Sequence, residues 1–173
     1  HFPHNLAQAT QARRRFIFQE LLVLCCALGS LRSQKTQATV SPMHPVDLQP
    51  FYDSLPFSPT GAQKRCIAEC AADLMGDVPM NRLIQGDVGS GKTLIAAACA
   101  YILAKNGKQT AMMVPTEILA EQHLVTMSQF LEPLGLKVEL LTGSTKAAQR
   151  RKVLDALALG QIDLLIGTHA LLS

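Results

Sequence analysis

The sequence predicts an α/β domain built on a parallel sheet, and three observations carry the prediction. Short runs of Val, Ile and Leu alternate with longer helical patterns, a glycine-rich loop joins one such run to a helix, and helix-stop residues fall between the units. Residues 1–40 come first and predict an amphipathic helix, because Ile17, Leu21, Leu24, Leu28 and Leu31 alternate spacings of four and three. Residues 41–60 read as a linker, since Pro42, Pro45, Pro50, Pro56 and Pro59 exclude a helix interior or a central strand. Residues 61–173 then give a helix Gly61–Leu74, a strand Met80–Gln85, a helix Leu94–Ala104, a strand Thr110–Val114 and a helix Glu117–Phe130. A strand Lys137–Leu141, a helix Lys146–Leu159 and a strand Asp163–Ile166 complete the order. Asn106-Gly107 and Gly160 sit where helix stops belong. Strands of this composition predict a sheet buried on both faces, with ligands at the carboxyl ends of its strands.

The loop Gly86-Asp87-Val88-Gly89-Ser90-Gly91-Lys92-Thr93 fits Gly-x-x-x-x-Gly-Lys-Ser/Thr at every fixed position, between a predicted strand and a predicted helix. Glycines let the backbone curl with its N–H groups inward, and the helix start adds the positive end of its dipole, so a polyphosphate meets donors and charge together. Lys92 supplies a full charge to the β and γ phosphates, and the Thr93 hydroxyl is placed to ligate the Mg²⁺ that bridges them. The fold class is therefore that of P-loop NTPases.

Charge gives no independent argument for nucleic acid. Residues 1–50 hold Arg13, Arg14, Arg15, Arg32 and Lys35 against Glu20 and Asp47, and beyond residue 50 bases and acids balance. The five cysteines are an odd count inside apolar helical patterns, so they read as reduced, small core residues. Cys66 and Cys70 stand one turn apart, yet no His accompanies them at a ligand-like spacing, and the His1-x-x-His4 pair is equally bland. Arg13–Arg15 before an apolar stretch resembles a secretory leader, but Gln19 and Glu20 interrupt it and Leu21–Leu28 is too short for a bilayer. A cytoplasmic, membrane-free protein is expected. The chain opens on His1 rather than Met, which suggests a piece of something longer.

The parallel-sheet rule makes the loop after each strand worth reading. Pro115-Thr116-Glu117, Thr142-Gly143-Ser144 and Gly167-Thr168-His169 are small and hydroxyl-bearing, on the same edge as the glycine-rich loop. Thr116 suits a helix cap and Glu117 the first turn after it. Plain caps and turns are one reading of these loops; hydroxyls and free N–H groups holding a phosphate backbone are the other.

Taken together, the segments Leu55–Arg65, Pro79–Thr93, Pro115–His123, Leu141–Ser144 and Gly167–Leu171 resemble, in order, the first motor domain of the bacterial RecG branch-migration helicases of superfamily 2. Ala12–Leu22 is similar to that family's helix between wedge and motor domains, so residues 1–40 correspond to a linker helix after a wedge. The resemblance implies that Phe57 packs on adenine, that Gln63 hydrogen-bonds its edge, and that Gly86 to Thr93 hold ATP and Mg²⁺. It also implies that Pro115, Thr116, Glu117, Thr142, Gly143, Ser144, Gly167, Thr168 and His169 line a DNA track. The partner implied is forked or branched DNA, acted on by a full-length protein that is monomeric.

Hydrolysis needs a strand-end carboxylate for Mg²⁺ and another for water. The chain contains no Asp-Glu pair, and Asp163 stands at the start of its strand rather than after it. In the family the carboxylates follow a further strand, so the sheet is expected to be incomplete, the chain alone inactive in hydrolysis, and its open edge prone to self-association. Two rival readings stay open. A P-loop GTPase should carry Asn-Lys-x-Asp, which is absent, or a P-loop kinase its lid arginines; alternatively, a truncated product would use its basic helix only for docking.

Overall fold

The computed structural model describes residues 6–35, 40 and 43–172; His1 and His4 lie outside the described residues. Contacts divide the chain into two compact units. One holds residues 1–40 with Asp77–Pro79, the other residues 41–76 and 80–173.

In the first unit, helix α1 runs from Leu6 to Lys35. Ile17, Leu21, Leu24 and Leu28 share a face of it as expected, but Phe16, Phe18, Leu22 and Val23 place apolar surface on other sides, and all eight are exposed. Cys25 and Cys26 are exposed here as well, against the expectation of core packing, because the helix buries no face within its own unit. The Val40 amide donates to the Asp77 carbonyl at 3.2 Å, a bond within this unit. Among the described residues no helix is long and apolar enough to cross a membrane.

The second unit is the α/β body. It comprises α2 (Gln49–Asp53), α3 (Gly61–Leu74), α4 (Lys92–Lys105), β1 (Thr110–Met113), α5 (Glu117–Leu131), β2 (Val138–Leu141), α6 (Ala147–Ala158) and β3 (Leu164–Gly167). The three strands are parallel in the order β1-β3-β2, with Met113, Gly167 and Leu141 in one register row at the carboxyl edge. Asp163 gathers the opposite edge. Its carbonyl accepts from the Thr110 amide at 2.8 Å, its amide donates to the Lys137 carbonyl at 3.0 Å, and its carboxylate accepts the Lys137 amide at 2.7 Å.

Only the central strand is buried along its whole length. Leu164 and Ile166 face the large core beneath α4 and α5, while Leu165 joins Leu141, Val153 and Ile162 against α6. At β3 both faces are thus covered, as the sequence pattern requires of parallel strands, whereas Ala111 and Met113 leave one face of β1 exposed. α4 runs through the large core, burying Leu94, Ile95, Ala97, Ala98, Ala100, Tyr101 and Ile102, which explains why its sequence is apolar all round.

Two expectations are corrected. The prolines of residues 41–60 prevent long regular structure but not burial. Phe51 is fully buried and stacks on Tyr101 with ring centroids 5.6 Å apart, Leu55 is buried too, and the segment contains α2; it is wall rather than linker. Met80–Gln85 is not a strand. An apolar run becomes a strand only beside a ladder partner. Here Met80 and Ile84 face Thr110, Ala111 and Met112 of β1 across an apolar cavity of about 370 Å³. The outer edge of β1 stays unpaired within the sheet, and the buried Thr110 hydroxyl has no hydrogen-bond partner.

Candidate nucleotide site and carboxyl-edge loops

The glycine-rich loop folds without a strand behind it. Ser90 N–H donates to the Asp87 carbonyl at 3.1 Å, and Leu94 N–H to the Gly91 carbonyl at 3.0 Å, which turns the chain into α4. Gly91 immediately precedes that helix with φ of +83°, in the left-handed region that L side chains rarely adopt. A Cβ there would also push aside the end of the Gln63 side chain, but the left-handed backbone is what favours glycine. Lys92 Nζ donates to the carbonyls of Gly86 at 2.8 Å and Asp87 at 2.7 Å, holding its charge across the loop. Thr93 is half-buried in the first turn of α4.

Gln63 reaches the loop because α3 starts where it does. Thr60 and Gln63 form a reciprocal cap: the Gln63 amide N–H donates to Thr60 Oγ1 at 3.2 Å, and Thr60 N–H to Gln63 Oε1 at 2.8 Å. With its oxygen so engaged, the side chain turns Nε2 to the Ser90 carbonyl at 3.0 Å. Thr-x-x-Gln is a sequence signature of such a cap, so this link was open to reading in advance. The half-exposed ring of Phe57 meets Phe130 edge-on at 6.1 Å. Arg82 was not singled out in the sequence. Its guanidinium donates to Asp73 at 2.7 Å and Glu69 at 2.6 Å, fastening the stretch before the loop to α3 and holding the Asp73 carboxyl below its ordinary range.

The loops after β1, β3 and β2 emerge side by side because the strands are parallel and adjacent. Thr116 caps α5 as expected, accepting Leu119 N–H at 3.3 Å. The loop after β2 does not cap α6, whose preceding residue Lys146 makes no side-chain cap bond. It closes on itself instead: Thr142 N–H donates to Thr145 Oγ1 at 3.0 Å, and the Thr142 and Ser144 hydroxyls are 3.0 Å apart. Thr142 and Thr168 are buried, while Gly143, Ser144 and His169 are exposed. Gly167 sits so close to the Leu141 carbonyl and the Leu171 side chain that a Cβ would strike both.

A connection no motif announced joins two of these loops. Ser144 N–H donates to Glu117 Oε1 at 3.0 Å. The Ser144 hydroxyl and backbone N–H lead the interactions holding the Glu117 carboxyl below its ordinary value, helped by the Thr142 hydroxyl and the Gly143 backbone.

The cysteines of this unit are free thiols in packing positions, with Cys70 buried and Cys66 and Cys99 half-buried. Burial, reinforced by the neighbouring thiols, pushes Cys99 up to about 12. Among the described residues no group of three His, Cys, Asp or Glu side chains could hold a metal ion.

Parallel strands flanked by helices, with a left-handed glycine and a lysine opening the helix after a Gly-x-x-x-x-Gly-Lys-Thr loop, define a P-loop nucleotide-binding α/β domain. The DEAD/DEAH box helicase family model matches residues 60–173, and the chain belongs to that family. It is similar to the ATP-dependent DNA helicase RecG of Synechocystis sp., 45% identical with 99% of this chain and 21% of that protein covered. RecG of Haemophilus influenzae is 46% identical over 92% of this chain and 23% of its own length; that of Bacillus subtilis is 43% identical over 99% and 26%. The chain thus spans about a quarter of the length of these curated relatives. A solved structure described as RecG bound to a three-way DNA junction superposes with a TM-score of 0.86 at 40% identity, covering 99% of this chain and 24% of that one. The yeast DEAD-box splicing factor Prp28 shares the fold at 18% identity and a TM-score of 0.51, over 78% of this chain and 34% of its own.

Proposed function

We propose that this chain is part of the motor of an ATP-dependent DNA helicase of the RecG kind, which remodels branched DNA such as replication forks and Holliday junctions in recombination and repair. The observation that carries the proposal is a phosphate-binding loop of the right local geometry inside a chain that matches RecG over 99% of its length. A structure of RecG described as bound to a three-way DNA junction supports branched DNA as the substrate class.

The residues present fit a nucleotide. Lys92 Nζ holds two carbonyls of its own loop, a pair of partners that phosphate oxygens would replace with a stronger, charge-assisted pairing. Leu94 N–H is given to the Gly91 carbonyl, while the N–H groups of Lys92 and Thr93 precede the intrahelical ladder and suit the remaining oxygens. In this reading Gly86, Asp87, Val88, Gly89, Ser90 and Gly91 cradle the phosphates, Thr93 supplies the Mg²⁺ ligand, and Phe57 and Gln63 select adenine. Gln63 already bonds to Ser90, so adenine recognition and the phosphate loop share one side chain. Bound ATP would supply the free energy that drives movement along DNA. The loops of residues 115–117, 142–144 and 167–169 form the DNA-facing edge. We further propose a cytoplasmic, monomeric full-length protein.

The test is titration of the chain with Mg²⁺-ATP by calorimetry, with GTP as competitor. Lys92→Ala should weaken ATP binding at least about tenfold, the effect of losing one charge-assisted contact. Equal affinity in the variant would remove the nucleotide reading, and preferential displacement by GTP would favour a GTPase instead.

A further inference from the structure

Glu117 is an odd residue to find on an edge proposed to face a polyanion. It belongs to the loop after β1, and the Ser144 that donates to it belongs to the loop after β2. These two strands do not touch, because β3 runs between them. Neighbouring strands lie about 4.8 Å apart, so the two loops leave the sheet roughly 10 Å from each other. The chain beyond β1 and the Glu117 side chain together close that distance past the end of β3, where Oε1 accepts the Ser144 N–H. Its fit is close: a Cβ on Gly143 would lie 3.3 Å from Glu117 Oε1.

We propose that Glu117 is a positioning residue rather than a DNA contact: it ties the loop after β2 to the start of α5, so that Thr116 at one end and Thr142–Ser144 at the other present a single surface to the DNA backbone. The inference rests on the DNA reading of this edge. A carboxylate turned outward would repel phosphates, whereas this one is directed at a backbone N–H of the neighbouring loop and holds the short, exposed residues Gly143 and Ser144 in place. Gly143 leaves the room the carboxylate needs. Without the tie, the loop after β2 keeps only its internal bonds among Thr142, Ser144 and Thr145.

Three variants separate a tie from a charge. Glu117→Gln keeps an oxygen to accept Ser144 N–H; Glu117→Asp keeps the charge but is one methylene too short; Glu117→Ala keeps neither. In this chain, hydrogen exchange at the Ser144 amide should quicken in the Asp and Ala variants and stay near the native rate in the Gln variant. In the longest polypeptide that carries the chain, affinity for a fluorescent forked oligonucleotide should fall about fivefold in the Asp and Ala variants, the scale of one net hydrogen bond, and stay within about twofold in the Gln variant. Nucleotide affinity should not move in any of the three. Unchanged Ser144 exchange in the Ala variant overturns the tie. Tighter DNA binding by the Gln or Ala variant overturns it as well, since the carboxylate would then act through its charge. A native protein that binds the forked oligonucleotide while all three variants match it overturns the positioning role alone. A native protein that binds no DNA overturns the DNA reading itself and takes the positioning role with it.

Discussion

The glycine-rich loop and the three carboxyl-edge loops are held in different ways. The carboxyl-edge loops hang on a hydrogen-bonded sheet whose central strand is buried from end to end, and two of them are further joined through Glu117 and Ser144. The glycine-rich loop has no strand in that sheet. It depends on α4 behind it and on three side-chain fastenings, Lys92 to the Gly86 and Asp87 carbonyls and Gln63 to Ser90 on the loop, and Arg82 to Asp73 and Glu69 just before it. The difference teaches that a phosphate loop is a local device, shaped by its own glycines and the helix it opens, whereas a surface made of several loops needs a shared frame.

The comparison breaks most visibly at the frame. Ile166, fully buried in β3, contributes to the core that carries all three strands. Ile166→Ala should cost about 2–5 kcal/mol in stability. In a hydrogen-exchange experiment, protection around residues 114–117, 142–145 and 167–168 should fall together, before the first turn of α4 responds. Loss confined to the loop after β3 would show that the loops do not share a frame. A smaller and more local effect is expected from Gly91→Ala. A left-handed backbone costs an L residue about 1–2 kcal/mol, and the added methyl must also displace the Gln63 amide. Nucleotide affinity should drop while exchange at the carboxyl-edge loops stays native; retained affinity would mean that the loop does not need its left-handed entry into α4.

Much of this architecture was legible in the sequence because it is local. Gly61–Leu74 matches α3 at both ends, the strands after Gly107 and Gly160 fall within a residue or two of their expected bounds, and Thr116 caps α5. What the sequence hid depends on partners far along the chain. Met80–Gln85 has the composition of a buried strand, yet pairing is a property of two segments, and across from it β1 presents only a cavity. The prolines of residues 41–60 reported truly on backbone freedom and said nothing of the apolar residues between them, so Phe51 was missed as a core residue. Within the candidate site, the loop glycines, Lys92 and Thr93 were expected from spacing and Gln63 from a resemblance alone, while the Thr60–Gln63 cap that aims its side chain was not read. The Glu117–Ser144 bond was not readable, because the two residues meet only after the strands between them have paired.

The two sheet edges also differ. β2 carries Glu139 with Lys137 beside it at 3.7 Å, charges that discourage edge-to-edge pairing. β1 reads Thr-Ala-Met-Met, without charge or proline, and it borders the apolar cavity.

The central proposal is that the loop Gly86–Thr93 binds a nucleotide that residues 1–173 by themselves do not cleave. Asp163 is engaged at the far edge of the sheet and Glu117 is engaged by Ser144, so neither is presented to a phosphate bound at Gly86–Thr93. The direct measurement is phosphate release from Mg²⁺-ATP by purified residues 1–173, with and without forked DNA, beside the Lys92→Ala variant. The account predicts Lys92-dependent binding and no release above background under either condition. Release that DNA stimulates and Lys92→Ala abolishes would contradict it.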